Sequence, residues 1–445
     1  MKVLIANYRY FVSSGPERYL FNVKARLEEA GHEVAPFSIR YARNAATPYE
    51  KYFVSPLAGE NDVYFDQHKA SPAAFGKTMA RLLYSPEVER AVMRMAEDVR
   101  PDVAYVLYYL RKLSPSLLVG LKKRNVPIVV RLSDYGMFCP EHHCLRDGAP
   151  CTLCLKDSSA SVRYACVKGS RTISALDAAA NAFHHWRGYF DLIDGFVVTN
   201  PFMQEMMVKA GFAPQRLHCI PTFTDTETFA PPPSDAERTY LLCLGRLDRP
   251  KGVDVLLEAM ALLKARRGEC TPMLRIVGGG HEQDYVAQLK ERARALRLDD
   301  CVVFHGEARP EETPALFRGA LATIIPALWF ENLPNSLIES LACGTPVVAS
   351  NIGSLAASVD DGVEGLLAEP GDAVDLAQKI ARLLDDEPLR ARLGGNARAA
   401  ALGRFSGEAH VSRLLQLFDD VAVRQRAPRT FPAALPQTAS LGETT

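Results

Sequence analysis

The sequence has no apolar run long enough to cross a bilayer: its longest apolar stretch, residues 319–330, is too short and carries Pro326. It has no charge of prevailing sign either. The 52 Lys and Arg balance 52 Asp and Glu, which leaves no overall case for nucleic acid as a partner. The start, MKVLIANYRY, lacks the apolar core and small-residue cleavage site of a signal peptide, and residues 3–6 read as a buried strand instead. The expected location is therefore the cytoplasm, where ten cysteines argue for reduced thiols or a metal site and against disulfides. Also missing is the G-x-G-x-x-G spacing with an acidic partner that marks a dinucleotide fold, which makes a dehydrogenase a poor reading.

What is present is enough chain for two domains and a tail, since 445 residues exceed one ordinary core. The charge is unevenly shared. Residues 1–225 carry 28 basic and 22 acidic side chains, and residues 226–445 carry 24 and 30, so an anionic acceptor or an anionic membrane face would favour the first half. Apolar strands followed by Gly-rich turns and helices recur along both halves, the pattern of doubly wound parallel sheets. The segment Pro231-Pro232-Pro233-Ser234-Asp235 is a stiff polar boundary between them.

The most informative stretch is residues 327–350, ALWFENLPNSLIESLACGTPVVAS. It predicts a polar loop with Glu331, a helix beginning near Leu333 or Pro334 with Glu339 on it, and a second apolar strand. Proline suits a first helical turn, and the unpaired amides of that turn attract phosphate. Glu339 lies roughly 7 to 8 Å along the helix from Pro334 at 1.5 Å per residue. Two carboxylates spaced like that suit hydroxyl groups on either side of a diphosphate; the plainer reading is a pair of solvated surface charges.

Earlier, the strand at residues 128–132 ends in Ser133-Asp134-Tyr135 at a sheet's carboxyl edge, where such sheets place ligands. In the second half, a strand at 240–244 runs into Gly245-Arg246-Leu247-Asp248-Arg249-Pro250-Lys251-Gly252. Here the glycines allow close approach, while Arg246 offers a planar fork and Lys251 a point charge. Residues 274–277 lead into Gly278-Gly279-Gly280. Five cysteines fall within residues 139–166, and Cys151-x-x-Cys154 has knuckle spacing. With Cys144 and Cys166 these two could hold a structural zinc, with Cys139, His142 or His143 as substitutes; buried free thiols and redox chemistry stay open.

Glu331-x7-Glu339 with the following Ser340-Leu341-Ala342-Cys343-Gly344-Thr345-Pro346 resembles the signature of family 4 glycosyltransferases, of the bacterial surface-polysaccharide type. That resemblance implies the GT-B fold: two Rossmann-like doubly wound domains facing across a cleft, residues 1–225 on the acceptor side and 236–404 on the nucleotide-sugar side. A crossover helix at 405–425 and a disordered tail at 426–445 would follow. It implies a retaining transfer from a nucleotide-diphosphate sugar to a saccharide or lipid-linked acceptor, with no cofactor required for catalysis. Carried onto this chain, the catalytic set is Glu331, Arg246, Lys251 and Asp134. The donor-binding set is Gly15, Gly245, Arg246, Lys251, Gly278, Gly279, Asn332, Leu333 and Glu339, with Glu331 against the sugar and Glu339 on the ribose. The family's usual histidine is Ser133 here, and serine cannot act as a base at neutral pH; Pro16 replaces a usual glycine after Gly15. A capping-box role for Ser14 with Glu17 competes with a Gly15 cap. Two rival readings are a sugar-nucleotide epimerase or hydrolase on the same fold and a non-catalytic nucleotide-sugar-binding scaffold.

Overall fold

The computed structural model describes residues 1–13, 15–57, 59, 72–233, 237–280 and 283–426; Ser14, the Ser234-Asp235 part of the boundary and the expected tail from 427 onward lie outside them. The first domain opens with β1 (Lys2–Asn7), α1 (Gly15–Glu29), β2 (Glu33–Phe37), α2 (Pro72–Leu82), α3 (Pro86–Val99), β3 (Val103–Tyr108), α4 (Ser116–Lys123) and β4 (Ile128–Arg131). The insert contributes a short hairpin, β5 (Leu145–Arg146) and β6 (Ala149–Pro150), then α5 (Ala160–Arg163) and α6 (Arg171–Trp186). Strand β7 (Gly195–Val198), α7 (Pro201–Lys209) and β8 (Leu217–Cys219) complete the domain. Its sheet is parallel, in the order β2-β1-β3-β4-β7-β8. The strands are near-continuous apolar runs because helices cover both faces.

The second domain runs β9 (Tyr240–Leu244), α8 (Val253–Arg267), β10 (Met273–Val277), α9 (Gln283–Ala295), β11 (Val302–Gly306), α10 (Thr313–Arg318) and β12 (Ala320–Ile325). Then come α11 (Asn335–Ala342), β13 (Val347–Ser350), α12 (Gly353–Ala356), β14 (Gly365–Ala368), α13 (Ala373–Asp385) and α14 (Glu387–Arg404). This sheet is also parallel, ordered β11-β10-β9-β12-β13-β14. Each sheet therefore has one place where the chain leaves neighbouring strands in opposite directions, between β1 and β3 in the first and between β9 and β12 in the second. Crevices at such points, on the carboxyl edge, are where open α/β sheets bind ligands.

The last helix, α15 (Gly407–Arg426), returns to the first domain. Its residues Val411, Leu414, Leu417, Phe418 and Val421 are buried with Val3, Ile5, Leu20 and Val23. A polar cluster anchors the same contact: His410 Nε2 meets the Tyr19 hydroxyl at 2.9 Å, that hydroxyl meets Tyr105 at 2.7 Å, and His410 Nδ1 lies 2.7 Å from the Pro221 carbonyl. Burial pushes His410 down to about 3, so the ring is neutral and Nδ1 donates to that carbonyl. Helix α4 starts only at Ser116, after Ser114 takes a left-handed φ of 65°. The basic group at its end is absorbed by carboxylates: Lys122 pairs with Asp194 at 2.5 Å, Lys123 with Glu89 and Arg124 with Glu97.

Candidate active site

Two glycines show how the second domain's crevice is built. Gly252 ends the turn after Arg249–Lys251 at φ 69°, and a Cβ there would stand 1.9 Å from the Pro326 carbonyl oxygen. Gly278 approaches Gly245 so closely that a Cβ would fall 1.9 Å from the Gly245 oxygen. Only glycine allows both approaches. They hold the loop after β9 against the loops after β12 and β10, leaving a cleft lined by Gly245, Arg246, Lys251, Pro326, Pro334 and Ser336. Gly279 adds a backbone contact, its carbonyl accepting from the Leu247 amide at 2.8 Å.

Helix α11 points its N-terminus at this cleft. Pro334 is its cap residue, at φ −69° and ψ 135°, so the helix starts at Asn335 and not at Leu333 or Pro334. No side chain caps that end, and the amides of its first turn are suited to an anion. Lys251 Nζ lies 2.6 Å from Glu331 Oε1, which also accepts from the Trp329 indole at 2.8 Å. Glu331 is 5% exposed, and these two donors offset the cost of burying its charge. Arg246 is half exposed and turned to Asp248 at 3.1 Å.

Glu339, on the next turn of α11, is 6% exposed, with Arg18 of the first domain 3.8 Å away. Burial raises its pKa to about 7 against the weaker opposing pull of Arg18. Asn332 and Leu333 stand differently from their neighbours. Asn332 is engaged by the first domain: its Nδ2 donates to Leu132 O at 3.3 Å, its Oδ1 accepts from Thr199 and its carbonyl from Asn200. The Leu333 side chain is buried in the second domain's core, which leaves its backbone alone for a ligand. Gly15 starts α1 opposite α11, with the Asn335 amide nitrogen 3.8 Å from where its Cβ would be.

Asp134 is held within the first domain and makes no contact with Glu331 among the described hydrogen bonds. Its Oδ1 accepts from the Gly136 amide at 2.8 Å and its Oδ2 meets His142 Nδ1 at 3.1 Å. Burial works to raise its pKa, but His142 and the Gly136 amide outweigh it and hold the carboxyl below its ordinary value. Ser133 accepts from Arg131 at 2.7 Å and belongs to the support of that strand end. Sequence reasoning missed three contributors here. Tyr135 donates to the Glu331 carbonyl at 3.1 Å, His143 of the insert packs on Trp329 at 5.3 Å, and Phe202 packs on Phe330 at 4.8 Å. Of the three, Tyr135 stood in a stretch that the sequence marked, the strand end Ser133-Asp134-Tyr135.

The thiols of the cysteine-rich segment gather in one part of the first domain. Among the described residues no group of three or more His, Cys, Asp or Glu side chains stands where it could hold a metal. Cys144 and Cys139 are packed into the first domain's core, while Cys151, Cys154 and Cys166 are half-buried. The Cys151 amide donates to the Cys144 carbonyl at 2.7 Å, closing the β5–β6 hairpin. A hydrogen bond from Cys144, ahead of the opposing effect of burial, lowers Cys139 to about 6, and burial raises Cys154 to about 12. Cys144 is hydrogen-bonded to Cys139 and also interacts with Cys151 and Cys154, and Cys154 with Cys166, so a four-thiolate zinc site at Cys144, Cys151, Cys154 and Cys166 stays an expectation of the spacing and carries no step of the chemistry.

Residues 224–400 match the family model described as glycosyl transferases group 1. The match falls on the second domain and the segment that leads into it. Among curated proteins, the chain is 35% identical over 257 residues to D-inositol 3-phosphate glycosyltransferase of Stackebrandtia nassauensis, covering 54% of this chain and 57% of that protein. It is 29% identical over 243 residues to mannosylfructose-phosphate synthase of Agrobacterium fabrum, covering 51% and 53%. The chain thus spans little more than half the length of these relatives. Over nearly its full length it shares the fold of a sucrose-phosphate synthase from Thermosynechococcus elongatus, with TM-score 0.67, 21% identity and coverage of 95% and 99%. HepE of Anabaena, solved in complex with UDP, gives 0.66, 19%, 94% and 100%. These likenesses establish the two-domain GT-B fold for this chain.

Proposed function

We propose that this chain is a glycosyltransferase that moves a sugar from a nucleotide-diphosphate donor on the second domain to a saccharide or lipid-linked acceptor on the first. The observation that carries this is the convergence of Arg246, Lys251 and the uncapped start of α11 on one crevice at the β9/β12 switch point. Departure of the diphosphate places negative charge there, and preorganised cations and amides stabilise charge as it develops. Lys251 has Glu331 as its partner at 2.6 Å. A donor phosphate competes for Lys251, freeing Glu331 to face the positive charge that grows at the anomeric carbon. This arrangement supplies the stabilisation without calling for a metal, and the family supports retention of configuration. A similar donor is supported by HepE, which was solved with UDP and with UDP-glucose, and a surface-polysaccharide role rests on the motif resemblance.

Peripheral contact with an anionic membrane is supported by the first half's basic excess. Leu153, Tyr164, Ile173, Leu176 and Trp186 are also exposed on the insert and α6, near Arg163, Arg171 and Arg187. No described helix is long and apolar enough to cross a membrane. Thermal-shift screening of nucleotide sugars tests the main reading, because a ligand of the folded state raises apparent stability. A rise with one nucleotide class, lost in Lys251→Ala, is expected; no rise with any would contradict it. Turnover of donor without acceptor would favour an epimerase or hydrolase.

A further inference from the structure

The first domain has its own switch point, between β1 and β3, and its side chains are cationic. Tyr8 and Arg9 follow β1, and Arg111 and Lys112 come shortly after β3. Arg9 Cζ lies 4.7 Å and Lys112 Nζ 5.9 Å from the centroid of the same Tyr8 ring, which packs against Tyr108 at 5.1 Å. Arg111 holds a left-handed φ of 60° and is fixed by Asp177, with Nε 3.0 Å from Oδ1. Two of these cations have carboxylates of their own: Asp177 pairs with Arg111, and Glu17 lies 3.9 Å from Arg9.

Lys112 is the odd member of this group. Among the described residues its ammonium has no carboxylate partner, and it lies over the Tyr8 ring. Burial, with Arg9, Lys168 and Arg111 adding to it, lowers its pKa to about 8. A partly desolvated cation among like charges gains from any anion that enters. Beside it, a cavity is lined by Leu110, Arg111, Gly136, Pro140, Asp177 and Asn181. The buried Asn181 Oδ1 has no hydrogen-bond partner among the described residues, so a ligand hydroxyl can donate to it.

We infer that the β1/β3 switch point binds a phosphate group of the acceptor at Arg9, Arg111 and Lys112, with the acceptor's hydroxyls directed toward Asp177 and Asn181. This rests on the glycosyltransferase reading only in calling the ligand an acceptor. The phosphate could be borne by a soluble sugar or by a lipid, and both present the same group to the three cations.

The test uses calorimetric titration of the full chain carrying Lys251→Ala, which weakens the donor's phosphate site. Glucose 6-phosphate, glucose and vesicles containing a polyprenyl diphosphate are the probes. Binding of glucose 6-phosphate or of the diphosphate vesicles, but not of glucose, is expected, and the arm that binds identifies the source. Adding Lys112→Ala should weaken that binding about tenfold or more, the scale of one hydrogen bond to a charged group, and Lys112→Arg should restore most of it. Melting curves check that each variant is folded. The inference is overturned if neither phosphorylated probe binds, or if binding is the same in Lys112→Ala. Titrating the wild-type chain with nucleotide sugars reports on the donor site separately, so failure of that reading gives a different pattern.

Discussion

The two switch points are built on the same topology and handle positive charge in opposite ways. At β9/β12, Lys251 is matched at 2.6 Å by a buried glutamate that an indole also holds, so the crevice is balanced until a ligand exchanges partners with it. At β1/β3, Arg9 and Arg111 are paired with Glu17 and Asp177, while Lys112, over the Tyr8 ring, has no carboxylate partner among the described residues. The contrast separates two tasks. A site where charge must develop during reaction benefits from an internal counter-charge that reacts to it, whereas a site that only holds a standing anion can leave one cation without a counter-charge.

Removing cations from the balanced site should give the largest effect. Lys251→Ala should cost roughly 2 to 4 kcal/mol of transition-state stabilisation, about 30- to 1000-fold in kcat/KM, with Arg246→Ala at the lower end because Arg246 is half exposed and shared with Asp248. Steady-state kinetics checks this; near-wild-type values in both variants would dissolve the assignment. Glu331→Gln should come next, lowering kcat about 100-fold while donor still binds, since the change removes a charge that acts on the developing anomeric centre. A normal kcat would remove that role.

Of intermediate size is the pH response of the helix that joins the domains. His410 is buried and its pKa is depressed to about 3, so the unfolded chain binds its proton first as pH falls through 6.5. The contribution of neutral His410 is therefore present above pH 6.5 and is lost progressively between 6.5 and 3. Between pH 7 and pH 5 this one group should remove about 2 kcal/mol. Chemical denaturation of wild type and His410→Gln at both pH values checks it, and equal pH slopes would refute the linkage.

The smallest effect concerns Glu339, whose pKa is raised to about 7. The folded protein holds that proton below pH 7, so Glu339→Gln should resemble wild type in donor KM at pH 6. It should differ by a few-fold at pH 8, where the wild-type carboxylate is charged, with kcat nearly unchanged. A kcat effect as large as that of Glu331→Gln would erase the distinction between the two glutamates.

The balanced site was largely legible in the sequence because its groups lie on local patterns: a glycine turn with Arg246 and Lys251, and a loop and helix with Glu331 and Glu339. Their partners were not. Tyr135, Asn200 and Arg18 reach the second domain from positions more than 100 residues away, and no periodicity records that pairing. Asn332 follows Glu331 in sequence yet turns to the first domain, because its amide satisfies the Leu132 carbonyl and the Thr199 hydroxyl. The cysteine spacing suggested an ion, but it did not record the pairing of Cys144 with Cys139 inside the group. Lys112 gave no sequence signal at all. Its distinction comes from three cations that meet only when β1 and β3 become neighbours.

The most direct test of the account is the response of the melting temperature to nucleotide diphosphates in wild type, Lys251→Ala and Lys112→Ala. The account predicts that one nucleotide diphosphate stabilises wild type, that Lys251→Ala loses most of this rise, and that Lys112→Ala loses much less of it. Equal stabilisation of Lys251→Ala and wild type, or a rise abolished by Lys112→Ala alone, would contradict the assignment of the donor to the β9/β12 crevice.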